Sequence, residues 1–193
     1  MKIEALTGSA ILPAIPALAE LRIRVFAEWP YLYDGDVAYE EDYLRAFAAS
    51  EDAVLVLARD GERIVGASTG SPMAAQEREI REPVEAFGFD TSEVFYFGES
   101  VLLPDCRGQG IGHAFFDQRE AHARACGARY AAFASVIRPD DHPARPESYR
   151  PLDSFWLGRG YAKVNGLTCH IAWRDHGEAA ESPKSLQFWM REL

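Results

Sequence analysis

The segment Val101-Leu-Leu-Pro-Asp-Cys-Arg107-Gly108-Gln109-Gly110-Ile111-Gly112-His113 narrows the possible folds of this chain more than any other stretch. An apolar run halts at Pro104, glycines recur at 108, 110 and 112, and an amphipathic run begins. A strand therefore hands over to a helix through a glycine turn. Glycine admits backbone angles that gather several N–H groups around one anion. The helix start adds unpaired N–H groups and a partial positive charge. Arg107 places a charged donor beside them. The expected product is a pyrophosphate site, and a turn that merely caps a helix is the lesser reading. Two familiar phosphate patterns are excluded. The dinucleotide fingerprint begun at Gly108 requires glycine where His113 stands, and no Gly-Lys-Ser/Thr occurs.

An anion site in this chain has to be local, because the whole is acidic. Lys+Arg number 20 against 30 Asp+Glu, a formal net charge of −10. That balance argues against a nucleic-acid partner held by phosphate contacts and suits a cationic amine. At roughly 150 residues per domain, the 193 residues predict a single domain, 1–193. Such a chain buries enough surface to need no disulfide or metal. Cys106, Cys126 and Cys169 are odd in number and form no CxxC, so no disulfide framework or zinc site is expected, and a reducing cytoplasm is. No apolar run reaches membrane-spanning length, so no membrane partner is expected. Lys2 and the apolar run Ala10 to Ala19 loosely resemble a signal peptide, but Glu4, Pro13 and Pro16 break the pattern. A homodimer is compatible with the sequence, which does not fix the oligomeric state.

Periodicity and turn residues order the rest. Ile3–Leu6 reads as a strand, followed by an Ala/Leu-rich helix to about Phe26. Asp36 is placed to cap a second helix running through Ser50, with Tyr43, Leu44 and Phe47 at helical spacing. Ala53–Arg59 and Arg63–Ser68 flank Asp60-Gly61, a hairpin signal. Residues 74–88 are polar and read as a helix or a flap. Val94–Leu103 is a strand candidate, Gly110 to Ala125 a helix with Gly127 at its C-terminal cap, and Tyr130–Ile137 a further strand. Four of the eleven prolines crowd the loop from Pro139 to Pro151. A short helix at Leu152–Arg159 ends at Gly160, and Leu167–Trp173 and Leu186–Leu193 close the chain as strands. The pattern is a mixed α/β domain.

The run Arg107-Gly108-Gln109-Gly110-Ile111-Gly112, preceded by Leu102-Leu103-Pro104, resembles the Arg/Gln-x-x-Gly-x-Gly/Ala signature of the GCN5-related N-acetyltransferase (GNAT) superfamily. Phe155-Trp156-Leu157-Gly158-Arg159-Gly160-Tyr161 is similar to that family's aromatic helix ending in Gly-Phe, and Leu186–Leu193 to its closing strand. The resemblance is strongest over 94–163. It implies a mostly antiparallel twisted sheet flanked by helices, in which one parallel strand pair, Val94–Leu103 and Tyr130–Ile137, splays apart around acetyl-CoA. By the same resemblance, the backbone at Leu102 and Leu103 would hold the pantetheine arm as an added strand. Arg107, Gly108, Gln109, Gly110, Ile111 and Gly112 would cradle the pyrophosphate, with His113 at the edge and no metal involved.

The implied reaction is acetyl transfer from the thioester to the amine of a small molecule or peptide. Glu99 is the candidate base; binding substrate or pairing with a cation is weighed equally with it. Many relatives carry a tyrosine at the place of Trp156, whose indole is only a donor and a very poor acid. Tyr149 could replace it as the acid, with Ser154 a weaker choice, and a thiolate can also leave unaided. The loop Arg138–Tyr149 and the aromatic stretch Trp29–Tyr33 with Tyr39 and Tyr43 are candidate acceptor walls, core packing being the rival role. Asp140, Asp141 and His142 do not make a metal set, and His122 and His170 read as structural. A CoA-binding regulatory module without turnover, or an acyltransferase for another acyl chain or an oxygen acceptor, stands as the alternative.

Overall fold

In the computed structural model, which describes residues 1–193, thirteen helices and strands follow one another around a single sheet. They are β1 (Lys2–Thr7), α1 (Ile15–Phe26), α2 (Val37–Ala49), β2 (Val54–Asp60), β3 (Arg63–Pro72), α3 (Arg78–Phe87), β4 (Val94–Tyr96), β5 (Ser100–Leu102), α4 (Ile111–Ala125), β6 (Tyr130–Val136), α5 (Asp153–Gly158), β7 (Ala162–Trp173) and β8 (Ser182–Glu192). The sheet order is β1-β2-β3-β4-β6-β8-β7, with β5 also on β3. Every pairing is antiparallel except β4 with β6. The mixed, mostly antiparallel sheet with one parallel pair is the expected architecture.

Local chemistry explains most boundaries. Asp36 caps α2 by accepting the Tyr39 N–H at 2.9 Å. The polar stretch 74–88 forms α3, whose i,i+4 pairs Arg78–Glu82 and Arg81–Glu85 support it and whose Val84 is fully buried. Gly127, with φ +80, follows the last turn of α4, and the Ala128 N–H reaches back to the Ala123 carbonyl at 3.0 Å.

The continuous strand expected over Val94–Leu103 is instead two strands, and the reason is Gly98. A Cβ there would stand 2.7 Å from Thr69 Oγ1, so only glycine permits the approach. Phe97 N–H still bonds Ala132 O on β6 at 2.8 Å, whereas Gly98 N–H bonds Thr69 O on β3 at 3.1 Å. The chain thus changes partner within one residue. β4 lies between β3 and β6; β5 pairs only with β3. Parallel pairing is confined to Val94–Tyr96 against Tyr130–Ala132, and beyond it a gap opens.

Two apolar clusters hold the layers together. The larger joins α1, α2 and α4 to β2, β3 and β5, and ends in an aromatic knot of Phe116, Phe133, Tyr161 and Trp189. The smaller packs Met73 and Val84 against β4, β6, β7 and β8. The gap lies where β5 leaves β6, between these supports.

Candidate active site

Hydrogen bonding decides which backbone groups face the gap. In antiparallel pairs, alternate residues turn N–H and C=O toward the partner. Leu103 N–H bonds Val65 O at 3.0 Å and Thr69 N–H bonds Glu99 O at 3.1 Å, so residues 99, 101 and 103 face β3. Ser100 and Leu102 therefore face away from β3, toward the gap. Leu102 O accepts Arg107 Nε at 3.1 Å, which leaves its N–H as the open edge. Leu103 is buried, and its carbonyl accepts the Cys106 N–H at 3.0 Å, so it contributes packing and not an edge.

The glycine turn follows at once. Gly108 and Gly110 take φ +75 and +82, and Gly110 is the N-terminal cap of α4 with no side-chain cap of its own. Ala114 is the first residue to bond back, to Gly110 O at 3.2 Å, leaving the N–H groups of Ile111, Gly112 and His113 without helical partners. No acidic residue occupies this first turn. Gln109 folds back onto Asp105 O at 3.1 Å, and the His113 ring packs edge-on against Phe155 at 4.9 Å. The Arg107 guanidinium is held beside the turn by Glu28 at 2.9 Å, an exposed pair. All the residues expected around a coenzyme thus share one rim, with Leu103 turned inward. A pyrophosphate fits this turn, which offers exposed N–H groups, a helix start and a nearby cation.

The opposite rim is built from side chains. Glu99 is 8% exposed, and its Oε1 lies 2.5 Å from Arg22 Nη1. Arg22 also pairs with Glu40, so one buried guanidinium joins two carboxylates. Burial pulls the Arg22 pKa down, but Glu99, Tyr43 and Glu40 outweigh it and hold the group firmly charged. Phe26 and Tyr43 cover the guanidinium at 5.1 and 4.7 Å. Glu99 Oε1 points inward, while Oε2 has no protein partner and keeps solvent access. Tyr31 stands beside them, its phenol pushed up to about 12, chiefly by burial and then by the Glu99 carboxylate.

Tyr149 reaches the same neighbourhood. Its charge state also bears on Tyr31, its ring meets Trp29 edge-on at 6.0 Å, and Arg145 lies over it at 5.7 Å. Burial, with Asp153 second, raises its pKa, so it is a protonated phenol at neutral pH. Trp156, by contrast, packs in the aromatic knot 5.0 Å from both Phe133 and Trp189, and Ser154 is exposed. The loop 138–149 is tied down internally, by Arg145 on Asp140 and by the Ala144 N–H on His142 Nδ1 at 3.1 Å. His122 bonds the Asp52 carbonyl at 2.9 Å, a structural role.

Several contacts of this rim escaped the sequence reading, which named Arg138 only as part of the loop Arg138–Tyr149. Arg138 grips both Asp175 oxygens at 2.7 and 3.0 Å and the carbonyls of Pro30 and Tyr31 at 2.8 Å each. It fixes the aromatic stretch, and Lys184 supports Asp175 from below at 3.4 Å. Arg119 is 1% exposed, with no carboxylate partner, and donates to Thr69 O, Glu99 O and Ser100 Oγ, holding the strand break in shape. Burial draws its pKa down to about 10, which leaves it cationic at neutral pH. The available signal was small: Arg22 sits on the apolar face of α1, and Glu40 shares a helical face with Leu44 and Ala48. No group of three or more His, Cys, Asp or Glu side chains could hold a metal, and no helix is long and apolar enough to cross a membrane.

A splayed parallel pair beside a glycine turn that opens a helix defines an acyl-CoA-dependent transferase scaffold. The chain belongs to the acetyltransferase (GNAT) family, whose sequence profile matches residues 18–146. Solved structures agree on the fold. A ribosomal-protein-alanine N-acetyltransferase from Brucella melitensis superposes with a TM-score of 0.65 at 13% identity, covering 100% of both chains. A GNAT-family acetyltransferase from Streptococcus pneumoniae gives 0.61 at 13%, also over 100% of both. A putative acetyltransferase from Salmonella typhimurium, solved with its cofactor acetyl-CoA, gives 0.59 at 11%, over 99% of this chain and 94% of the other. At these identities the likeness is one of fold. No curated protein matches the sequence significantly.

Proposed function

We propose that this chain is a single-domain cytoplasmic N-acetyltransferase that moves the acetyl group of acetyl-CoA to the amine of a cationic small molecule or peptide. The observation that carries the reading is the placement of Glu99. Its solvent-accessible Oε2 lies three residues before Leu102, whose outward N–H forms the open edge of β5. Three free cysteines fit a reducing compartment.

Acetyl-CoA, when bound, supplies an activated acetyl group as a thioester. Leu102 N–H would hold its pantetheine arm, and the N–H groups from Ile111 to His113, with Arg107, its pyrophosphate. Glu99 keeps one carboxylate oxygen free of Arg22 beside Tyr31 and Tyr43, an acceptor that an ammonium group can meet. Glu99 Oε2 takes the proton of that ammonium, directly or through a water, and frees the nitrogen lone pair for attack. Arg22 holds the other oxygen and so fixes the carboxylate's direction. The Tyr149 hydroxyl donates a proton to the departing sulfur. Because a thiolate is a fair leaving group, that donation is the smaller contribution.

The test is thiol release from acetyl-CoA with a panel of amines, amino acids and peptides, run on the wild type and on Glu99→Gln. The wild type is expected to turn over a cationic amine, and the variant to lose about 10²–10⁴-fold in kcat, the usual range for general-base removal. Tight acetyl-CoA binding without acceptor-dependent release would instead make the chain a CoA-binding regulatory module.

A further inference from the structure

The segment 139–151 keeps its polar contacts to itself. His142 N–H bonds Pro139 O at 3.2 Å, Arg145 N–H bonds His142 O at 3.0 Å and Tyr149 N–H bonds Pro146 O at 3.0 Å. Arg145 pairs with Asp140, and the Ala144 N–H donates to His142 Nδ1 at 3.1 Å. Arg150 donates to the carbonyls of Glu147 and Tyr149. No hydrogen bond or ion pair ties these residues to the rest of the chain, and none of them packs into either apolar cluster. Pro139, Pro143, Pro146 and Pro151 each fix a backbone angle. The segment is stiff within and loosely held from without.

What it rests on is Trp29. The His142 ring lies 5.0 Å from the indole, and Tyr149 meets it edge-on at 6.0 Å. Both flanks, by contrast, are fastened. Arg138 is held by Pro30, Tyr31 and Asp175, and Asp153 at the start of α5 pairs with Lys163 at 2.6 Å. The connection between β7 and β8 borders the same aromatic stretch but is bonded to it. There the His176 N–H reaches Leu32 O at 2.8 Å, and the Asp34 N–H reaches Arg174 O at 2.9 Å.

We propose that residues 139–151 are a lid seated on Trp29, which opens to admit the acceptor and, on closing, brings Tyr149 to the reacting centre. Ring contacts part without breaking a hydrogen bond, so the braced segment turns on its two fastened flanks as one body. Closure leaves the Trp29 Nε1–H buried without a hydrogen-bond partner. Opening lets water reach that donor, which offsets part of the lost ring contact and keeps the two forms close in free energy. Tyr149 rides on the lid and, when it is closed, stands where its charge state bears on Tyr31 beside Glu99. That the lid gates acetyl transfer rests on the function proposed above; that it moves does not.

Fluorine NMR of protein labelled with fluorotryptophan reads the motion without any substrate. Of the four tryptophan signals, the one missing from Trp29→Phe belongs to Trp29. In the wild type this signal is expected to show microsecond-to-millisecond exchange. Its minor state should match the Trp29 signal of a variant in which 139–151 is replaced by a Gly/Ser segment of equal length. That variant keeps the fold, because the segment makes no bond outside itself. Kinetics with the amine panel supply the second arm. If Trp29→Ala lowers the closed fraction to about a tenth, kcat/KM for the acceptor falls about tenfold, with the KM for acetyl-CoA unchanged and most of the loss restored in Trp29→Phe. A Trp29 signal without exchange, or with a minor state unlike the lidless variant, overturns the lid. Exchange with an unaltered acceptor kcat/KM in Trp29→Ala overturns the gate. Should no amine be acetylated, the function reading fails, and the fluorine arm alone decides the lid.

Discussion

The two rims of the gap are made of different material. The rim proposed for the coenzyme is backbone: the Leu102 edge, two glycines with positive φ and three helix-start N–H groups, all within residues 102–113. The rim proposed for the acceptor is side chain: Arg22 from α1, Glu40 from α2, Glu99 from the strand break, Tyr31 and Tyr149 from loops, and Arg138 and Asp175 from elements far apart in sequence. A contiguous backbone device needs only local geometry, so it can be carried unchanged between proteins. A rim assembled from distant side chains depends on every packing angle, and it is where relatives can differ in acceptor.

If that contrast holds, side-chain truncation costs far more on the acceptor rim. The largest effect is expected from Arg22→Ala, which strands two buried carboxylates. Urea unfolding should show a loss of about 3–5 kcal/mol. Arg138→Ala comes next, at about 2–3 kcal/mol, because Asp175 retains Lys184 as a partner. Its kinetic mark is a raised KM for the acceptor with the KM for acetyl-CoA unchanged, and the reverse pattern would break the division between rims.

On the coenzyme rim the sensitive change is to backbone. Gly110→Ala forces a Cβ onto a residue at φ +82, costing about 1–2 kcal/mol, and should raise the KM for acetyl-CoA alone. Alkaline titration separates the rims in another way. The folded-state pKa of Tyr31, about 12, exceeds its ordinary 10.0, so the folded protein holds this proton where the unfolded chain releases it. Its contribution is intact below pH 10 and is lost as pH rises toward 12. Tyr31→Phe should flatten that decline by up to about 1.4 kcal/mol per pH unit, followed by denaturation across the window. The smallest effect belongs to Glu28→Gln. The pair with Arg107 is exposed and worth under about 1 kcal/mol, so freeing the guanidinium should tighten acetyl-CoA binding by only a few-fold in calorimetry.

The same contrast explains what could be read in advance. The glycine turn, the Asp36 cap and the hairpin at Asp60-Gly61 are local devices, and each lies where its residues indicate. The strand break was hidden because the apolar runs Val94–Phe97 and Val101–Leu103 are parted by only Gly98, Glu99 and Ser100, and its cause is the approach of Thr69, about thirty residues away. Glu99 stood out through its place before the coenzyme edge, but its tie to Arg22 did not. An arginine on the apolar face of a helix reads as an irregularity until the fold brings Glu40 and Glu99 to it. Likewise, Arg138 looked like one polar residue of a proline-rich loop, and only the return of the chain at Asp175 gives it a counter-charge.

The change of partner between Phe97 and Gly98 also imposes a rule of counting. Side chains and backbone groups alternate along a strand with a period of two. One residue added or removed between Tyr96 and Ser100 would carry the Glu99 carboxylate to the opposite face or turn the Leu102 N–H from the gap into β3. The three residues Phe97, Gly98 and Glu99 cannot change in number if Glu99 and Leu102 have the roles proposed for them, because their parity fixes how the carboxylate stands to the open N–H edge.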